Sequence, residues 1–294
     1  MHYIDPHIHM ISRTTDDYEN MAAAGVIAVV EPAFWQGQAR TGLSTFVDYF
    51  DMLVGWERFR AKQFGIMHFC TMGLNPKESN NRALADEVMK VIPRYLSKSS
   101  VLAVGEIGYD DMTPTEEHYF QLQLEMAKEY QLPALVHTPH RDKVNGTKRT
   151  LALVKEVGIN EELVLVDHLN EQTLPLVKET GCWCGHSIYP NTKMSEDRMV
   201  KLLQEYGTEK MVVNSAADWG KSDPLKVPKT GAAMLNAGFS EQDVSKVLFE
   251  NPINYYAQSG KISIDDVRRP LIDQRELYQE NSALRGQQPV IESE

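Results

Sequence analysis

The sequence lacks any run of about 18 apolar residues, the length that a membrane-spanning helix needs. Its N-terminus has neither a basic segment nor the apolar segment of a secretory signal, so we expect a cytoplasmic protein that does not enter a membrane. Cysteine is scarce: there are three, and Cys182 and Cys184 lie too close on one strand to pair without distortion. This cysteine usage fits a reducing compartment.

Positive charge is also in short supply. Lys and Arg number 30 against 41 Asp and Glu, which gives a net charge of −11. Such a surface repels phosphate backbones at long range, so we do not expect long nucleic acid as a partner. A local basic patch could still bind a small phosphorylated molecule, and we expect a small-molecule substrate. The sequence predicts no particular oligomeric state.

Short apolar runs rich in Val, Ile and Leu recur along the chain, each followed by a longer amphipathic stretch. Strands that are apolar throughout are typical of a parallel sheet buried on both faces. Eight strand and helix units in 294 residues predict an α/β fold, the closed (β/α)8 or TIM barrel. The candidate strands begin near His2, Val26, Ile66, Val101, Pro133, Leu163, Cys182 and Lys210. The helical patterns span residues 15–24, 45–62, 82–96, 115–130, 147–157, 171–180, 195–206 and 225–237.

The chain beyond the eighth unit is predicted to add helices outside the barrel. Ser240 is a good N-cap with Asp243 three residues later, and the apolar positions that follow have helical spacing. The charged segment 268–294 is predicted to form an outer helix with a frayed end. We therefore predict a single barrel domain over residues 1–257 and a C-terminal helical extension over residues 258–294.

The N-terminal stretch Ile4-Asp5-Pro6-His7-Ile8-His9-Met10 contains half of a metal site. If this stretch is extended, Asp5, His7 and His9 face the same way, because side chains two residues apart on a strand share a face. A transition metal bound by two imidazoles needs further N, O or S ligands from elsewhere in the chain. The alternative is a surface strand with two accidental histidines.

Polar residues that could supply those ligands end several of the other predicted strands. In a parallel barrel the C-terminal ends of the strands converge, and active sites lie there. Glu106, His137 and His168 are spaced by 31 residues, one strand and helix unit each, as equivalent positions on consecutive strands require. The polar residues at predicted strand ends are His7, His9, Glu31, Glu106, His137, His168 and Asp218.

Three motifs carry a family resemblance. Asp5-Pro6-His7-Ile8-His9 matches the D-x-H-x-H opening of the amidohydrolase superfamily. Val104-Gly105-Glu106-Ile107-Gly108-Tyr109-Asp110 resembles the V-G-E-x-G-L-D strand of the TatD-like metal-dependent hydrolases, and the segment 133–137 resembles the P-x-x-x-H strand of that family. The resemblance extends from residue 1 to about residue 257.

The resemblance implies a binuclear metal centre. By position, His7, His9, Glu106 and the strand-eight aspartate would hold one cation, and Glu106 would bridge to a second cation bound by His137 and His168. Histidine and carboxylate ligands suit Zn²⁺, with Mn²⁺ as the alternative. A hydroxide between the two cations would then attack the substrate.

Strand eight departs from the family pattern. The family ends this strand in E-T-D, whereas here Lys210-Met211-Val212-Val213 runs into Asn214-Ser215-Ala216-Ala217-Asp218. The usual aspartate position falls on Ala216, and Asp218 shares its face if the strand stays extended. We predict Asp218 as both a metal ligand and the group that accepts the proton of the attacking water.

Several other residues are candidates with open alternatives. Glu31, at a buried strand end, is predicted to contact substrate, because a buried carboxylate without a partner is costly. Cys182, Cys184 and His186 share one face of strand seven as C-x-C-x-H; interior packing is the alternative to zinc binding for the cysteines, and His186 is predicted to assist catalysis near the mouth.

The loop after strand five, residues 138–149, is basic and lies beside the predicted ligands. His140 is predicted to assist catalysis, and Arg141 and Lys143 to bind a phosphate or carboxylate, with a solvated loop as the alternative. Thr147 is predicted to cap the helix that follows. Trp35 and Trp219 are predicted to form apolar walls of the pocket.

The predicted function is hydrolysis of a phosphoester in a small metabolite. Family resemblance favours phosphoester or DNA hydrolysis, and the acidic surface disfavours long nucleic acid. Hydrolysis of amide or lactone bonds on the same site is one alternative. A non-catalytic metal-binding scaffold is another, because a changed strand eight could leave a metal site without a proton acceptor.

Overall fold

The computed structural model describes residues 1–270. Eight strands form one sheet in the order β1 to β8, and every neighbouring pair is parallel. Each strand begins within one residue of its predicted start, which confirms the alternating pattern. The strands are β1 (Tyr3–Asp5), β2 (Val26–Pro32), β3 (Met67–Met72), β4 (Val101–Gly108), β5 (Ala134–His137), β6 (Val164–Val166), β7 (Trp183–Ser187) and β8 (Met211–Asn214).

The first and last strands approach each other just beyond their C-terminal ends. The backbone N–H of Ala216 donates to the carbonyl of His7 at 2.8 Å, and the N–H of His9 donates to the carbonyl of Ala217 at 2.9 Å. These bonds bring the sheet nearly to closure at the end where the ligand candidates lie. The fold is the predicted (β/α)8 barrel.

Helices between the strands cover the outside of the barrel. They are α1 (Thr15–Ala23), α2 (Leu43–Val54), α3 (Trp56–Lys62), α4 (Pro76–Ser79), α5 (Arg82–Val91), α6 (Pro93–Leu96), α7 (Pro114–Tyr130), α8 (Lys143–Val157), α9 (Leu174–Lys178), α10 (Glu196–Tyr206), α11 (Lys226–Asn236), α12 (Glu241–Ser245) and α13 (Asn251–Ala257). Single turns of 3₁₀-helix lie at Met10–Ser12 and Glu161–Leu163, and a π-helical turn spans Lys246–Glu250.

Some helix boundaries differ from the predicted ones. Gly55 separates α2 from α3, and Pro93 starts α6, because glycine tolerates non-helical backbone and proline lacks the N–H that a helix interior needs. The prediction that Thr147 caps α8 is wrong. The helix begins at Lys143, and Gly146 lies in its first turns where a Cβ would overlap Pro139.

The strand side chains divide between two buried clusters. One is shared with the surrounding helices and contains alternate strand residues such as Val29, Cys70 and Cys184. The other lies inside the barrel and joins the remaining residues, such as Val30 and Trp183, to residues near the C-terminal end of the described chain. Because both faces are apolar, each strand is a nearly continuous hydrophobic run.

The chain after β8 agrees in part with the prediction. Ser240 accepts a hydrogen bond from the N–H of Asp243 and caps α12 as expected. Residues 258–270 contain turns and no helix, and the rest of the predicted extension, 271–294, lies outside the described residues. The division at residue 257 stays a prediction. Among residues 1–270, no helix combines the length and the apolar character needed to cross a membrane.

Candidate metal centre

The predicted histidine and glutamate ligands meet at the C-terminal ends of the strands. Glu106 lies in β4, His137 ends β5, and His168 follows β6 by two residues. His7 and His9 lie just beyond β1. All five side chains are buried and line one cleft.

One oxygen, Oε1 of Glu106, lies at the centre of this group. It is 2.9 Å from Nδ1 of His137 and 3.1 Å from Nε2 of His168. Nε2 of His7 lies 3.8 Å from the same oxygen and 3.2 Å from Nε2 of His9. Among the described residues, His7, Glu106 and His168 place ligand atoms within 4.8 Å of one another, which is compact enough to hold a metal ion.

The protonation states of these groups suit a cation. Burial would raise the pKa of Glu106, but His137 and His7 hold it well below its ordinary value, so the carboxylate is charged. Burial lowers the pKa of His9 and of His168 well below the ordinary value and keeps both neutral. Burial favours the neutral form of His7, but the nearby carboxylates Glu106 and Asp167 raise its pKa above the ordinary value, so a cation would compete with a proton for this ring. Neutral imidazoles around a carboxylate fit Zn²⁺ or Mn²⁺.

A chain of hydrogen bonds behind the ligands orients two of the imidazoles. Nδ1 of His7 donates to Oδ2 of Asp167 at 2.6 Å, which leaves Nε2 of His7 free to face Glu106. Asp167 also accepts the side-chain N–H groups of Asn214 at 3.0 and 3.1 Å, so the amide oxygen of Asn214 accepts from Ser187 at 2.7 Å. Ser187 must then accept from Nδ1 of His168, 2.6 Å away. Both imidazoles therefore present a lone pair to the cleft.

Two further contacts hold the centre in place. The second oxygen of Glu106, Oε2, accepts a hydrogen bond from the side chain of Asn75 at 3.0 Å. The ring of His9 stacks on Phe34, with 3.4 Å between centroids and 12° between planes. Glu106 thus directs a single oxygen, Oε1, at His7, His137 and His168.

Strand eight does not stay extended as far as Asp218. β8 ends at Asn214, and Ala216 has a left-handed backbone with a φ of 42°. Ala216 and Asp218 both line the cleft, but Asp218 reaches it from the following loop. Its Oδ1 accepts from the hydroxyl of Tyr189 at 2.8 Å and from the N–H of Gly220 at 2.7 Å. Asp218 is not in the compact ligand group found among the described residues.

Glu31 and His186 lie on the outer face of the barrel and do not line this cleft. Glu31 is bonded to Nε2 of His68 at 2.8 Å and accepts from the N–H of Ile11 at 2.9 Å. His186 follows the same pleat as Cys184, whose side chain packs in the cluster shared with the helices. Both nitrogens of the His186 ring are buried without a hydrogen-bond partner in the described chain.

The basic residues after β5 are divided between the cleft and the surface. His140 lines the cleft, and burial lowers its pKa to about 4. Lys143 is partly buried and donates to Oγ1 of Thr138 at 3.0 Å. Arg141 points away from the cleft: its side chain is 87% exposed and pairs with Asp111.

Two aromatic residues, Phe34 and Trp35, line the cleft, whereas Trp219, the second predicted wall, is not among the lining residues. Trp35 lines the cleft, with the ammonium of Lys77 5.1 Å from the centroid of its ring. Trp219, which is 45% exposed, stacks on Phe34 with 4.9 Å between centroids. Gly37 permits this packing, because a Cβ there would lie 2.6 Å from the Trp219 ring.

Other residues of the site were not predicted from the sequence. Asp167 had a visible signal, since it is a second polar residue at a strand end, directly before a predicted ligand. The other four are polar residues of ordinary type in strands or loops, and only the folded chain shows what they contact. The unpredicted residues are Asn75, Asp167, Ser187, Lys193 and Asn214.

The chain is similar to known proteins in sequence and in fold. The family described as TatD related DNase matches residues 4–257. An uncharacterized metal-dependent hydrolase of Methanocaldococcus jannaschii is 26% identical over 253 residues, which cover 86% of this chain and 99% of that protein. The crystal structure of a TatD-like protein from Archaeoglobus fulgidus is 24% identical, covers 86% of this chain and 99% of its own, and superposes with a TM-score of 0.72. The phosphotriesterase homology protein of Escherichia coli, solved with phosphate in its active site, is 18% identical, with 87% and 98% covered and a TM-score of 0.60.

Proposed function

Because the chain belongs to the TatD related DNase family and is a metal-dependent hydrolase, we propose that it hydrolyses a phosphoester bond in a small metabolite. The proposal includes two divalent cations, with Zn²⁺ preferred and Mn²⁺ as the alternative. The observation that carries it is the convergence of three imidazoles, those of His7, His137 and His168, on one oxygen of Glu106, with the ring of His9 in contact with that of His7. Such a donor set suits a metal ion bound beside an open cleft.

Different residues of the cleft would bind the cations and transfer the proton. His7, His9, Glu106, His137 and His168 would hold the cations. Bound there, the cations would supply an activated water and polarise the oxygen that gains charge. Asp218 would accept the proton of the attacking water at Oδ2, the oxygen that has no hydrogen bond in residues 1–270, and return it to the leaving group.

Charge and size in the cleft support a small phosphorylated substrate. Lys77 and Lys193 line the cleft together with the predicted ligands, and lysine is a common partner of phosphate. The cleft contains about 430 Å³ of empty space, open solvent at its mouth included, which is within the usual range for small-molecule sites. The E. coli protein of the same fold holds phosphate in its active site.

Metal analysis combined with a substrate panel tests the proposal. We expect about two zinc or manganese ions per purified chain, and a sharp decrease in Glu106→Ala but not in the control Glu129→Ala, an exposed residue on α7. The metal-loaded protein should hydrolyse small phosphomonoesters or phosphodiesters in preference to amides and lactones. Preferred turnover of an amide or lactone would contradict the phosphoester assignment, and a single ion would contradict the binuclear centre.

The role of Asp218 has its own test. In Asp218→Asn the metal content should stay at the wild-type level, because this carboxylate lies outside the compact ligand group of the described chain. Loss of the proton acceptor should lower kcat by about 10²- to 10⁴-fold on the best phosphoester. Full activity in this variant would refute the assignment.

A further inference from the structure

Lys193 is a lysine placed beside the metal centre by the segment between β7 and α10. Its side chain lines the cleft, with the ammonium 3.2 Å from Nδ1 of His168 and 5.5 Å from the centroid of the Tyr189 ring. No other lysine of the described chain lies this close to a predicted ligand nitrogen.

His168 does not serve as the acceptor for Lys193. The chain of hydrogen bonds through Asn214 and Ser187 requires that Nδ1 of His168 carries the proton and donates to Ser187. A protonated Nδ1 has no lone pair for an ammonium. Lys193 and Nδ1 of His168 are therefore both hydrogen-bond donors and do not bond to each other. The ammonium of Lys193 still requires an acceptor, such as an oxygen.

The other charged groups of the cleft have partners. Lys77 pairs with Asp110 at 3.0 Å, and Glu106 faces the histidines. Asp218 accepts from Tyr189 and from the backbone. Lys193 is the charged group of the cleft for which residues 1–270 provide no ion pair. Burying such a charge unpaired is costly, so the cleft favours a ligand that brings an anionic oxygen.

The backbone around Lys193 is held in place, which distinguishes it from a solvated loop lysine. Ile188 and Met194 form a parallel bridge on either side of the turn. The carbonyl of Lys193 accepts from Nη1 of Arg198 at 2.7 Å, and Arg198 is itself fixed by two hydrogen bonds of 2.7 and 2.6 Å to Glu171. The backbone that carries the Lys193 side chain is thus fixed before a ligand binds.

We propose that Lys193 binds a nonbridging oxygen of the substrate phosphoryl group, which makes the segment between β7 and α10 the anion subsite of the cleft. This inference rests on the proposed phosphoester function and assigns a specificity role that the metal ligands do not have. A compact ammonium with three donors suits a phosphoryl group, and it would favour substrates that keep at least one charged oxygen over neutral esters.

Binding of inorganic phosphate to the zinc-loaded protein tests the subsite without turnover. Titration calorimetry would compare wild type with Lys193→Met and Lys193→Gln, and with Lys201→Met, an exposed lysine on α10, as the matched control. We expect the Kd for phosphate to rise about 10- to 100-fold in both Lys193 variants and to stay unchanged in the control. Zinc content should be the same in all four proteins.

The outcomes separate this inference from the proposed function. If wild type binds phosphate and the Lys193 variants bind it equally well, the subsite is refuted and the phosphoester function stands. If wild type hydrolyses amides or lactones and does not bind phosphate, both are refuted. If both Lys193 variants lose zinc, Lys193 supports the metal centre and the subsite assignment is wrong.

Discussion

Asp167 holds the ring of His7, one of the proposed metal ligands, and also anchors the hydrogen-bond chain that leads through Asn214 and Ser187 to His168. Burial would raise its pKa, but His168 and His7 lower the pKa far below the ordinary value, so Asp167 is a charged acceptor. In Asp167→Asn, the charge that fixes Nδ1 of His7 as a donor is lost. We expect the affinity for Zn²⁺ to decrease about 10- to 100-fold, as for other residues that orient metal ligands, when measured by competition with a chromophoric chelator.

The control for this prediction is Asp111→Asn. Asp111 is an exposed aspartate whose side chain contacts only the exposed Arg141 among the ion pairs of the described residues. Its replacement should leave Zn²⁺ affinity unchanged. Equal affinity in wild type and Asp167→Asn would show that His7 keeps its orientation without the carboxylate.

The side chains that meet at the candidate metal centre could be picked out singly from the sequence, whereas Lys193 could not. Glu106, His137 and His168 are each the polar end of an apolar strand, and the barrel places all strand ends together. Lys193 lies in a turn, where lysine is ordinary, and only the bridge between Ile188 and Met194 turns it towards the cleft. Loop contacts of this kind depend on the folded backbone and leave no periodic pattern in the sequence.

At the level of the strand, the pleat explains why Glu31 and His186 do not line the cleft. In a strand buried on both faces, apolar residues alternate with apolar residues, so the sequence does not show which set faces the barrel interior. Val30 and Trp183 belong to the interior cluster. Glu31 lies one residue after Val30 and His186 lies three residues after Trp183, so both side chains are on the opposite, outward face of their strands. An error of one residue exchanges the two faces.

The pair formed by Glu31 of β2 and His68 of β3 should make stability depend on pH. Burial raises the pKa of Glu31 to about 8, although the N–H of Ile11 opposes the shift. At a pH between the ordinary pKa of a glutamate and about 8, the Glu31 carboxyl keeps its proton in the folded chain and releases it in the unfolded chain. The free energy of unfolding should therefore fall as pH rises through this window, by up to about 1.4 kcal/mol per pH unit.

Glu31→Gln tests this expectation. The amide stays neutral at every pH and can still donate to Nε2 of His68, so the variant should lose the dependence contributed by Glu31. Urea unfolding between about pH 5 and pH 8, with chelator present, should give a shallower decline for the variant than for wild type. The exposed Glu129→Gln should follow wild type. Identical slopes in all three proteins would contradict the buried, protonated state of Glu31.

The close packing of β7 on β6 gives a prediction for Gly185. A Cβ at this position would lie 2.5 Å from Oδ1 of Asp167 and 2.7 Å from Leu165, so the two strands would have to separate. Gly185→Ala should lower the free energy of unfolding by about 1–3 kcal/mol, a typical cost of overpacking. Because Asp167 moves with β6, the affinity for Zn²⁺ should fall as well.

Gly42→Ala is the matched control for Gly185. A Cβ at Gly42 has no neighbour within 4 Å among the described residues, and its φ of −160° is open to any amino acid. Because Gly42 is the N-cap of α2, we expect Gly42→Ala to change the free energy of unfolding by no more than about a few tenths of a kcal/mol. Denaturant unfolding and zinc titration of both variants measure the two effects. If Gly185→Ala changed neither the free energy of unfolding nor the affinity for Zn²⁺, β6 and β7 would be able to separate without disturbing the candidate metal centre.

At the scale of the whole molecule, the barrel could be predicted because every strand and helix unit repeats the same pattern. The eight strand starts were each found within one residue, since an apolar run between amphipathic stretches marks them. The breaks at Gly55 and Pro93 were missed because hydrophobic periodicity continues across them.

The net charge of −11 leads to a prediction about substrate size. Long duplex DNA would be repelled by the net negative charge of the whole chain. A small phosphoester would instead be attracted by the lysines that line the cleft. Raising NaCl from about 0.02 M to about 0.3 M shortens the screening length from about 20 Å to about 6 Å. Hydrolysis of duplex DNA should therefore be poor at low salt and increase with salt, while kcat/KM for a nucleoside monophosphate ester should decrease slightly or stay constant.

The sign of the salt dependence is the decisive measurement, because proteins that bind nucleic acid through basic surfaces lose affinity as salt rises. Both substrates would be assayed with the same zinc-loaded preparation, and Glu106→Ala would serve as the blank for contaminating nuclease. If DNA hydrolysis instead falls steeply with salt and exceeds that of the small ester at low salt, a basic surface on this chain binds DNA despite its net charge. The substrate would then be a long nucleic acid, and the lysines of the cleft would be part of a longer binding track.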